Sequence, residues 1–138
     1  MKRIFSMILC VLMLASVLFV GTAAAEESPY KDVKTGRWSY ADIMYVTEKG
    51  LMNGTSATKF EPNTPMSRAM LVTVLWRLEG SPAVSGSNPF TDLKQAWYKD
   101  AVNWAYQNSI VNGTDADKFS PNGNITRDQM AAILYRYS

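Results

Sequence analysis

The chain has 138 residues, of which 14 are basic, 12 are acidic, one is cysteine and none is histidine. Two of the basic residues lie in an apolar leader, and the rest of the chain carries no net charge. This balance excludes a basic surface for nucleic acid and a polybasic membrane patch. Because the single cysteine, Cys10, also lies in the leader, the remaining chain has no disulfide and no thiol or imidazole for catalysis.

Residues 1–25 have the pattern of a signal peptide. A basic start precedes an uncharged apolar run from Ile4 to Val20, and Ala23-Ala24-Ala25 supplies the small side chains that a signal peptidase requires. We expect export and cleavage before Glu26, with a cut after Ala23 as the second choice. An uncleaved membrane anchor is the alternative, although the run is at the short limit for crossing a bilayer.

Beyond the leader, the chain repeats itself at a spacing of 59 residues. We divide it into repeat 1 at residues 26–80, a Ser/Gly/Pro linker at 81–89 and repeat 2 at 90–138. A unit of about 55 residues is marginal alone, so the two repeats are expected to share a core. The matched positions include Trp38 and Trp97, Arg68 and Arg127, Leu75 and Leu134, and Arg77 and Arg136.

The first helix of each repeat is predicted from its capping signals and apolar spacing. In repeat 1, Ser39 followed by Asp42 resembles a capping box, and the helix is expected to end at Gly50. In repeat 2, the helix is predicted from about Tyr98 to Ser109. A long loop follows each first helix, built on Asn-Gly-Thr and a Phe-x-Pro-Asn turn.

A second helix is predicted to begin at Ser67 in repeat 1 and at Thr126 in repeat 2. Its apolar residues recur at i, i+3, i+4 and i+7, which indicates one buried stripe on each helix. We therefore predict an all-α fold in which two tandem helix–loop–helix repeats pack into a small helical bundle. The stripes are Leu71, Val74, Leu75 and Leu78 in repeat 1, and Met130, Ile133, Leu134 and Tyr137 in repeat 2.

Arg68 and Arg127 directly follow the N-cap hydroxyls of the second helices. A cation at a helix N-terminus opposes the helix dipole, so its recurrence needs an explanation. One explanation is a carboxylate or phosphate bound by the guanidinium and the helix amides together. The other is an internal ion pair with Asp32 or Asp92. The sequence leaves both open.

Two other repeated pairs favour structural roles. Arg77 and Arg136 lie in the last turn of a helix, where a cation suits the dipole. Trp38 and Trp97 are placed just before the first helices. We prefer a hydrophobic plug for these tryptophans, with a sugar-stacking face as the alternative.

Short motifs give no catalytic or metal site. Asp115-Ala116-Asp117 hints at a calcium loop, but Ser120 and Thr126 stand where that loop needs glycine and glutamate. Serine and lysine nucleophiles lack a recognisable partner. We therefore predict a binding module with no enzymatic activity, metal or cofactor.

The repeated motifs resemble the S-layer homology (SLH) domain family of bacterial cell-envelope proteins. The family pattern runs Phe-x-Asp-Val, Trp, Gly-(Ile/Leu)-(Val/Met)-x-Gly, Phe-x-Pro and Thr-Arg-Ala-Glu. In repeat 1 it reads Tyr30-Lys31-Asp32-Val33, Trp38, Gly50-Leu51-Met52-Asn53-Gly54, Phe60-Glu61-Pro62 and Ser67-Arg68-Ala69-Met70. In repeat 2 it reads Phe90-Thr91-Asp92-Leu93, Trp97, Ser109-Ile110-Val111-Asn112-Gly113, Phe119-Ser120-Pro121 and Thr126-Arg127-Asp128-Gln129.

The resemblance implies non-covalent anchoring to the cell wall of a Gram-positive-type envelope. The implied partner is a pyruvylated secondary cell-wall polysaccharide linked to peptidoglycan, bound by a secreted, surface-located protein. Arg68 and Arg127 are implied to contact the pyruvate carboxylate in grooves between repeats. The implied groove residues are Asp32, Asp92, Trp38 and Trp97.

Two departures from the family pattern bear on these expectations. The motif glutamate is the last member of a capping box, a role that Gln129 can fill and Met70 cannot. The family usually has three repeats, and two are present here. An exposed apolar flank is therefore expected, with the chain itself or another SLH repeat as its partner. The alternatives to a wall anchor are a self-associating structural envelope subunit and a fragment of a longer SLH-anchored protein.

Overall fold

A computed structural model describes residues 27–138, in which four helices and no β-strand are found. This confirms the all-α prediction; the predicted signal peptide lies outside the described residues. Among residues 27–138, none of the helices has the length and hydropathy that a membrane-spanning segment requires. The helices are α1 (Tyr40–Glu48), α2 (Arg68–Leu78), α3 (Ala96–Gln107) and α4 (Arg127–Tyr137).

The second helix of each repeat begins at its predicted N-cap. The Ser67 hydroxyl accepts a hydrogen bond from the Met70 N–H at 3.2 Å. The Thr126 hydroxyl accepts one from the Gln129 N–H, and the Gln129 side chain accepts one from the Thr126 N–H, both at 3.4 Å. The reciprocal capping box is therefore present in repeat 2 and absent in repeat 1, as the difference between Gln129 and Met70 predicts.

The first helices differ from the prediction at their N-termini. The Ser39 hydroxyl accepts a hydrogen bond from Nε of Arg37 instead of capping α1, so the predicted capping box is wrong. Helix α3 begins at Ala96, about two residues earlier than predicted. The Tyr98 hydroxyl accepts the N–H of Gln95 at 3.1 Å and stabilises this earlier start. Trp97 consequently lies in the first turn of α3 and not before it.

The apolar core is shared unequally between the repeats. A large cluster joins the buried face of α2 to α3 and to the Phe119 loop, and Ile133 of α4 completes it. A separate small cluster in repeat 1 consists of Tyr30, Val33 and Ile43. Helix α2 packs directly on α3, so the second helix of repeat 1 belongs to the core of repeat 2.

Backbone hydrogen bonds fix the N-terminus of α2 against repeat 2. The N–H of Arg68 donates to the Gly123 carbonyl at 2.9 Å, and the N–H of Ala69 donates to the Pro121 carbonyl at 3.0 Å. The N–H of Ile125 returns a bond to the Met66 carbonyl at 3.1 Å. The first amides of a helix have no partner within the helix. Here the neighbouring repeat supplies two of those partners.

The predicted apolar stripes are only partly buried. Leu71, Leu75 and Ile133 are buried, whereas Leu78 is 55% exposed and Leu134 is 43% exposed. The prediction that every stripe residue faces the core is thus wrong for Leu78 and Leu134. The counterparts Leu75 and Leu134 differ because α2 is covered by α3, whereas no described helix covers the same face of α4.

The difference between Leu75 and Leu134 predicts unequal effects of the same substitution. Leu75→Ala should lower the free energy of unfolding by about 2–5 kcal/mol, since it opens a cavity in the shared core. Leu134→Ala should cost about 1 kcal/mol, because much of that side chain remains in solvent. Urea unfolding measures both values, and equal losses would contradict the burial pattern.

Candidate functional site

Asp32 and Asp92 hold the Phe-x-Pro loops, which comprise residues 60–64 in repeat 1 and 119–123 in repeat 2. The Asp32 carboxylate accepts the N–H groups of Phe60 at 3.0 Å and Glu61 at 2.8 Å. Asp92 accepts the corresponding N–H groups of repeat 2 at the same distances. These carboxylates therefore shape the loops from the first residues of each repeat.

The loops need such a clamp because their backbone is strained. Glu61 has φ of 57° and Ser120 has φ of 58°, a left-handed conformation that non-glycine residues rarely adopt. The hydrogen bond from the Phe60 N–H is the main cause that lowers the pKa of Asp32, and the hydrogen bond from the Glu61 N–H lowers it further. Burial alone would raise the pKa of Asp92, but its two loop N–H bonds leave it lowered.

The Arg68 side chain belongs to the contact between the repeats. It is 6% exposed, its Nε donates to the Phe119 carbonyl at 2.9 Å, and its guanidinium lies 5.0 Å from the centre of the Phe119 ring. Burial lowers the pKa of this guanidinium. The terminal nitrogens of Arg68 make no hydrogen bond to a described residue.

The structure rejects the internal ion pair as the explanation of the two N-terminal arginines. Asp32 and Asp92 are engaged by loop amides, and the salt bridge found among residues 27–138 joins Lys118 to Asp117. Arg68 binds a backbone carbonyl instead. Arg127, its counterpart, is exposed at the start of α4.

The tryptophans do not form a hydrophobic plug. Trp38 is 87% exposed, and Trp97 is 47% exposed with its ring edge-on to Tyr98 at 4.9 Å. Of the two interpretations given above, the buried plug is therefore wrong. The predicted groove contact of these rings remains a prediction.

The repeat-2 cleft is a cavity of about 270 Å³ between α4 and the Asn-Gly-Thr segment of repeat 2. Arg68 from repeat 1 and Arg136 from α4 both line this cleft. No carboxylate is among the lining residues, so the cleft combines two cations with neutral polar groups. The lining residues are Arg68, Val111, Asn112, Gly113, Thr114, Gln129, Ala132, Ile133 and Arg136.

The repeat-1 cleft is the equivalent cavity on α2, with a volume of about 500 Å³. Its lining includes Phe60, Glu61, Pro62 and Thr64 of the Phe-x-Pro loop, whereas the corresponding loop of repeat 2 accepts hydrogen bonds from the N-terminus of α2. Trp97 of repeat 2 contributes to its wall. Nη1 of Arg77 donates to the Leu51 carbonyl at 3.1 Å, which agrees with the structural role predicted for Arg77.

Several cleft residues were missed by sequence reasoning. Arg136 was predicted to be structural, yet it makes no hydrogen bond or ion pair within the described residues and lines the cleft with Arg68. Asn112-Gly113-Thr114 was interpreted as a turn. The same three residues recur in repeat 1 as Asn53-Gly54-Thr55, and a turn alone does not require all three to be identical. This recurrence was the signal in the sequence that could have identified the segment as part of a site.

In residues 27–138, no group of His, Cys, Asp or Glu side chains could hold a metal ion. Both clefts are lined by guanidinium, amide and hydroxyl groups, and the repeat-1 cleft also contains the carboxylate of Glu61. Guanidinium, amide and hydroxyl groups bind carboxylates and sugar hydroxyls.

The profile of the S-layer homology domain family matches residues 29–69 and 89–131, one match in each repeat. The chain belongs to this family. Members of the family serve as cell-surface anchoring modules, and association with the cell surface or cell wall follows for this chain. The resemblance inferred from the motifs is thereby confirmed.

Similar proteins include both enzymes and S-layer proteins. The chain is 38% identical over 98% of its length to an endoglucanase of Bacillus sp. (strain KSM-635). It is 29% identical over 96% of its length to the S-layer protein sap of Bacillus anthracis. It is also 31% identical over 80% of its length to an amylopullulanase of Thermoanaerobacterium thermosulfurigenes. The chain spans only 15%, 16% and 6% of these relatives, respectively, so it corresponds to a small part of each.

The carboxylate clamp predicts an acid-dependent loss of stability. Asp92→Asn should lower the free energy of unfolding at pH 7 by about 1–2 kcal/mol, because an amide cannot accept both loop N–H groups as a carboxylate does. A carboxylate whose pKa is lowered in the folded state stabilises the fold at pH values above its unfolded-state pKa of about 3.9. The difference between the two proteins should therefore shrink as the pH falls below about 4 and vanish only below the lowered folded-state pKa of Asp92.

Thermal unfolding across pH 2–7 measures this effect. Asp100→Asn is the matched control, since Asp100 is an exposed carboxylate of α3 outside both loops. An Asp92→Asn protein as stable at pH 7 as the Asp100→Asn protein would refute the clamp.

Proposed function

We propose that the chain is an exported, non-enzymatic anchor that binds an anionic cell-wall polysaccharide non-covalently in its repeat-2 cleft. The observation that carries this proposal is the convergence of two guanidinium groups, Arg68 and Arg136, on a cleft whose lining contains no carboxylate. Two cations in the lining of one cleft suit a substituent with a localised negative charge, such as the carboxylate of a pyruvylated sugar.

Arg68 is well prepared for such a ligand. Its Nε bond and its position over the Phe119 ring hold the guanidinium in place, while its terminal nitrogens remain without a protein acceptor among the described residues. A carboxylate in the cleft would supply that acceptor and would oppose the effect of burial on the cation. Little side-chain entropy would then be lost on binding.

The neutral part of the cleft fits the remainder of a sugar. The Asn112 amide, the Thr114 hydroxyl and the Gln129 amide line the same cavity, and each can hydrogen-bond with sugar hydroxyl groups. The volume of about 270 Å³ would accommodate one or two sugar units of a longer polymer. Arg127 lines neither cleft within one chain, so its predicted ligand contact is supported less well than that of Arg68.

Removing the second cation of the cleft provides the cleanest test of the proposed function. Arg136→Ala should weaken sedimentation with purified cell walls about ten- to a hundredfold, as expected for losing a charged hydrogen bond of about 1.5–3 kcal/mol. The fold should be unaffected, because Arg136 is exposed and makes no hydrogen bond within the described residues. Cell walls stripped of their pyruvyl groups should retain neither the natural chain nor the Arg136→Ala protein.

Lys99→Ala is the control for this measurement, since it removes an exposed cation of α3 that lines neither cleft. The proposed site is wrong if Arg136→Ala and Lys99→Ala bind walls equally well.

Arg68→Lys tests the guanidinium geometry separately. Lysine keeps the charge but cannot hold one donor on the Phe119 carbonyl while presenting a planar pair to a carboxylate. Wall binding should fall nearly as far as in Arg68→Ala, and unfolding measurements on both variants separate this loss from damage to the contact between repeats. Full binding by a folded Arg68→Lys protein would exclude the planar recognition of the anion.

A further inference from the structure

Three Asn-Gly pairs occur in the chain, at Asn53-Gly54, Asn112-Gly113 and Asn122-Gly123. In such a pair the backbone nitrogen of the glycine can attack the side-chain amide of the asparagine, because glycine has no side chain that obstructs the approach. The attack requires an accessible asparagine, and it is slowed where the glycine N–H is held by an acceptor, since breaking a hydrogen bond costs free energy. The structure separates the three pairs by these two criteria.

Asn112 and Gly113 meet both criteria. Asn112 is exposed in the lining of the repeat-2 cleft, and its side-chain amide makes no hydrogen bond with any of residues 27–138. The Gly113 N–H likewise has no acceptor in the described part of the chain. Asn53 and Gly54 share these properties in the repeat-1 cleft.

The third pair, Asn122-Gly123, fails the second criterion. The Gly123 N–H donates to the Ser120 carbonyl at 3.0 Å, and the Gly123 carbonyl accepts the Arg68 N–H at 2.9 Å. Both backbone polar groups of Gly123 are therefore held in the contact between the repeats. Its nitrogen cannot attack the Asn122 side chain until the bond to Ser120 breaks.

The packing around Gly113 requires the residue that makes its pair reactive. Gly113 has φ of 82°, and a Cβ added to it would lie 2.6 Å from the Lys118 carbonyl oxygen and 2.6 Å from the Phe90 ring. Any larger residue after Asn112 would obstruct the attack, but no such residue fits this position without displacing its neighbours. The fold therefore imposes an unprotected Asn-Gly pair on the wall of the cleft.

We propose that Asn112-Gly113 is a site of spontaneous deamidation, and that this reaction ends the affinity of the repeat-2 cleft for an anion. The Gly113 nitrogen forms a bond to Cγ of Asn112 and gives up its proton, while the side-chain nitrogen of Asn112 leaves as ammonia. Water then hydrolyses one of the two C–N bonds of the succinimide ring. Hydrolysis at Cγ leaves an aspartate, and hydrolysis at the main-chain carbonyl leaves an isoaspartate.

Both products place a new negative charge in the cleft. The lining contains the guanidinium groups of Arg68 and Arg136 and no carboxylate. A carboxylate at position 112 would lower the positive potential of this cleft and compete with an anionic ligand for its cations. The cleft would then repel the substituent that it is proposed to bind.

The isoaspartate product also changes the backbone. The main chain then passes through the former side-chain carbons, which adds one methylene between positions 112 and 113. The added length would displace Gly113 from its close packing on Phe90. It would also strain the hydrogen bond from the Thr114 N–H to the Lys118 carbonyl, which is 2.8 Å long and closes this segment.

The deamidation itself is independent of the proposed function, whereas the loss of binding rests on it. Peptide mapping by mass spectrometry measures the reaction in the folded full chain, incubated in mildly alkaline buffer without polysaccharide. Asn112 and Asn53 should deamidate about tenfold or more faster than Asn122, whose glycine must first lose its hydrogen bonds. A rate at Asn112 no higher than that at Asn122 would overturn the proposal.

The same chain unfolded in urea is the matched control. The hydrogen bonds that hold Gly123 are absent there, so the three Asn-Gly pairs should react at similar rates. The difference seen in the folded chain would then come from the fold. A preference for Asn112 over Asn122 that persisted in urea would come from the neighbouring sequence and would overturn the structural assignment.

Asn112→Asp measures the consequence for binding. This variant should sediment with purified cell walls about tenfold or more weakly than the natural chain, because its carboxylate neutralises the cations of the cleft. Asn88→Asp is the matched control, since Asn88 lines neither cleft. Its side-chain oxygen accepts the Phe90 N–H at 2.9 Å, and a carboxylate can accept the same bond.

The two variants separate this inference from the proposed function. If Asn112→Asp binds walls as well as Asn88→Asp while Arg136→Ala binds weakly, the proposed site stands and the inactivation by deamidation is overturned. If Arg136→Ala also binds fully, the proposed site itself is wrong and the inactivation is overturned with it. The mass measurement of the three Asn-Gly pairs keeps its meaning in both cases.

Discussion

The fold depends on the insertion of the N-terminus of α2 into the Phe-x-Pro loop of the next repeat. Arg68 and Ala69 donate their backbone N–H groups to the loop carbonyls, and the Arg68 side chain binds a third carbonyl over the Phe119 ring. This contact satisfies a helix terminus that would otherwise lack partners, and it places α2 on α3. The apolar core of repeat 2 therefore includes a helix from repeat 1, and neither repeat has a complete core of its own.

The same contact creates the candidate binding site. Arg68 is held at the junction and lines a cleft built otherwise from repeat 2, together with Arg136. Membership of the S-layer homology domain family gives this arrangement a cell-surface context. Arg68, a cation that opposes the dipole of its helix, thus has two roles. It joins the repeats through Nε, and its terminal nitrogens remain available for an anion. Its exposed counterpart Arg127 holds the same place in repeat 2, but the described chain has no further Phe-x-Pro loop for it to contact.

The sequence was sufficient to predict the four helices, the caps at Ser67 and Thr126 and the family, because these depend on local patterns that recur. It could not predict which helix faces would be covered. Leu75 and Leu134 hold the same place in their repeats, and only the order of the repeats makes one buried and the other exposed. The roles of Asp32 and Asp92 were also missed, since their partners are backbone amides 27 to 29 residues away along the chain. Arg68 was singled out correctly as unusual, but its carbonyl partner lies 51 residues away and leaves no local signal.

A crystal structure of the chain with a pyruvylated sugar from the cell-wall polymer would show directly whether the repeat-2 cleft binds the anion. We expect the pyruvyl carboxylate in the repeat-2 cleft, within hydrogen-bond distance of the terminal nitrogens of Arg68 and near Arg136. The sugar ring should contact the Asn112-Gly113-Thr114 segment. A sugar bound elsewhere, with the Arg68 terminal nitrogens facing only water, would rule out the repeat-2 cleft as the anion site.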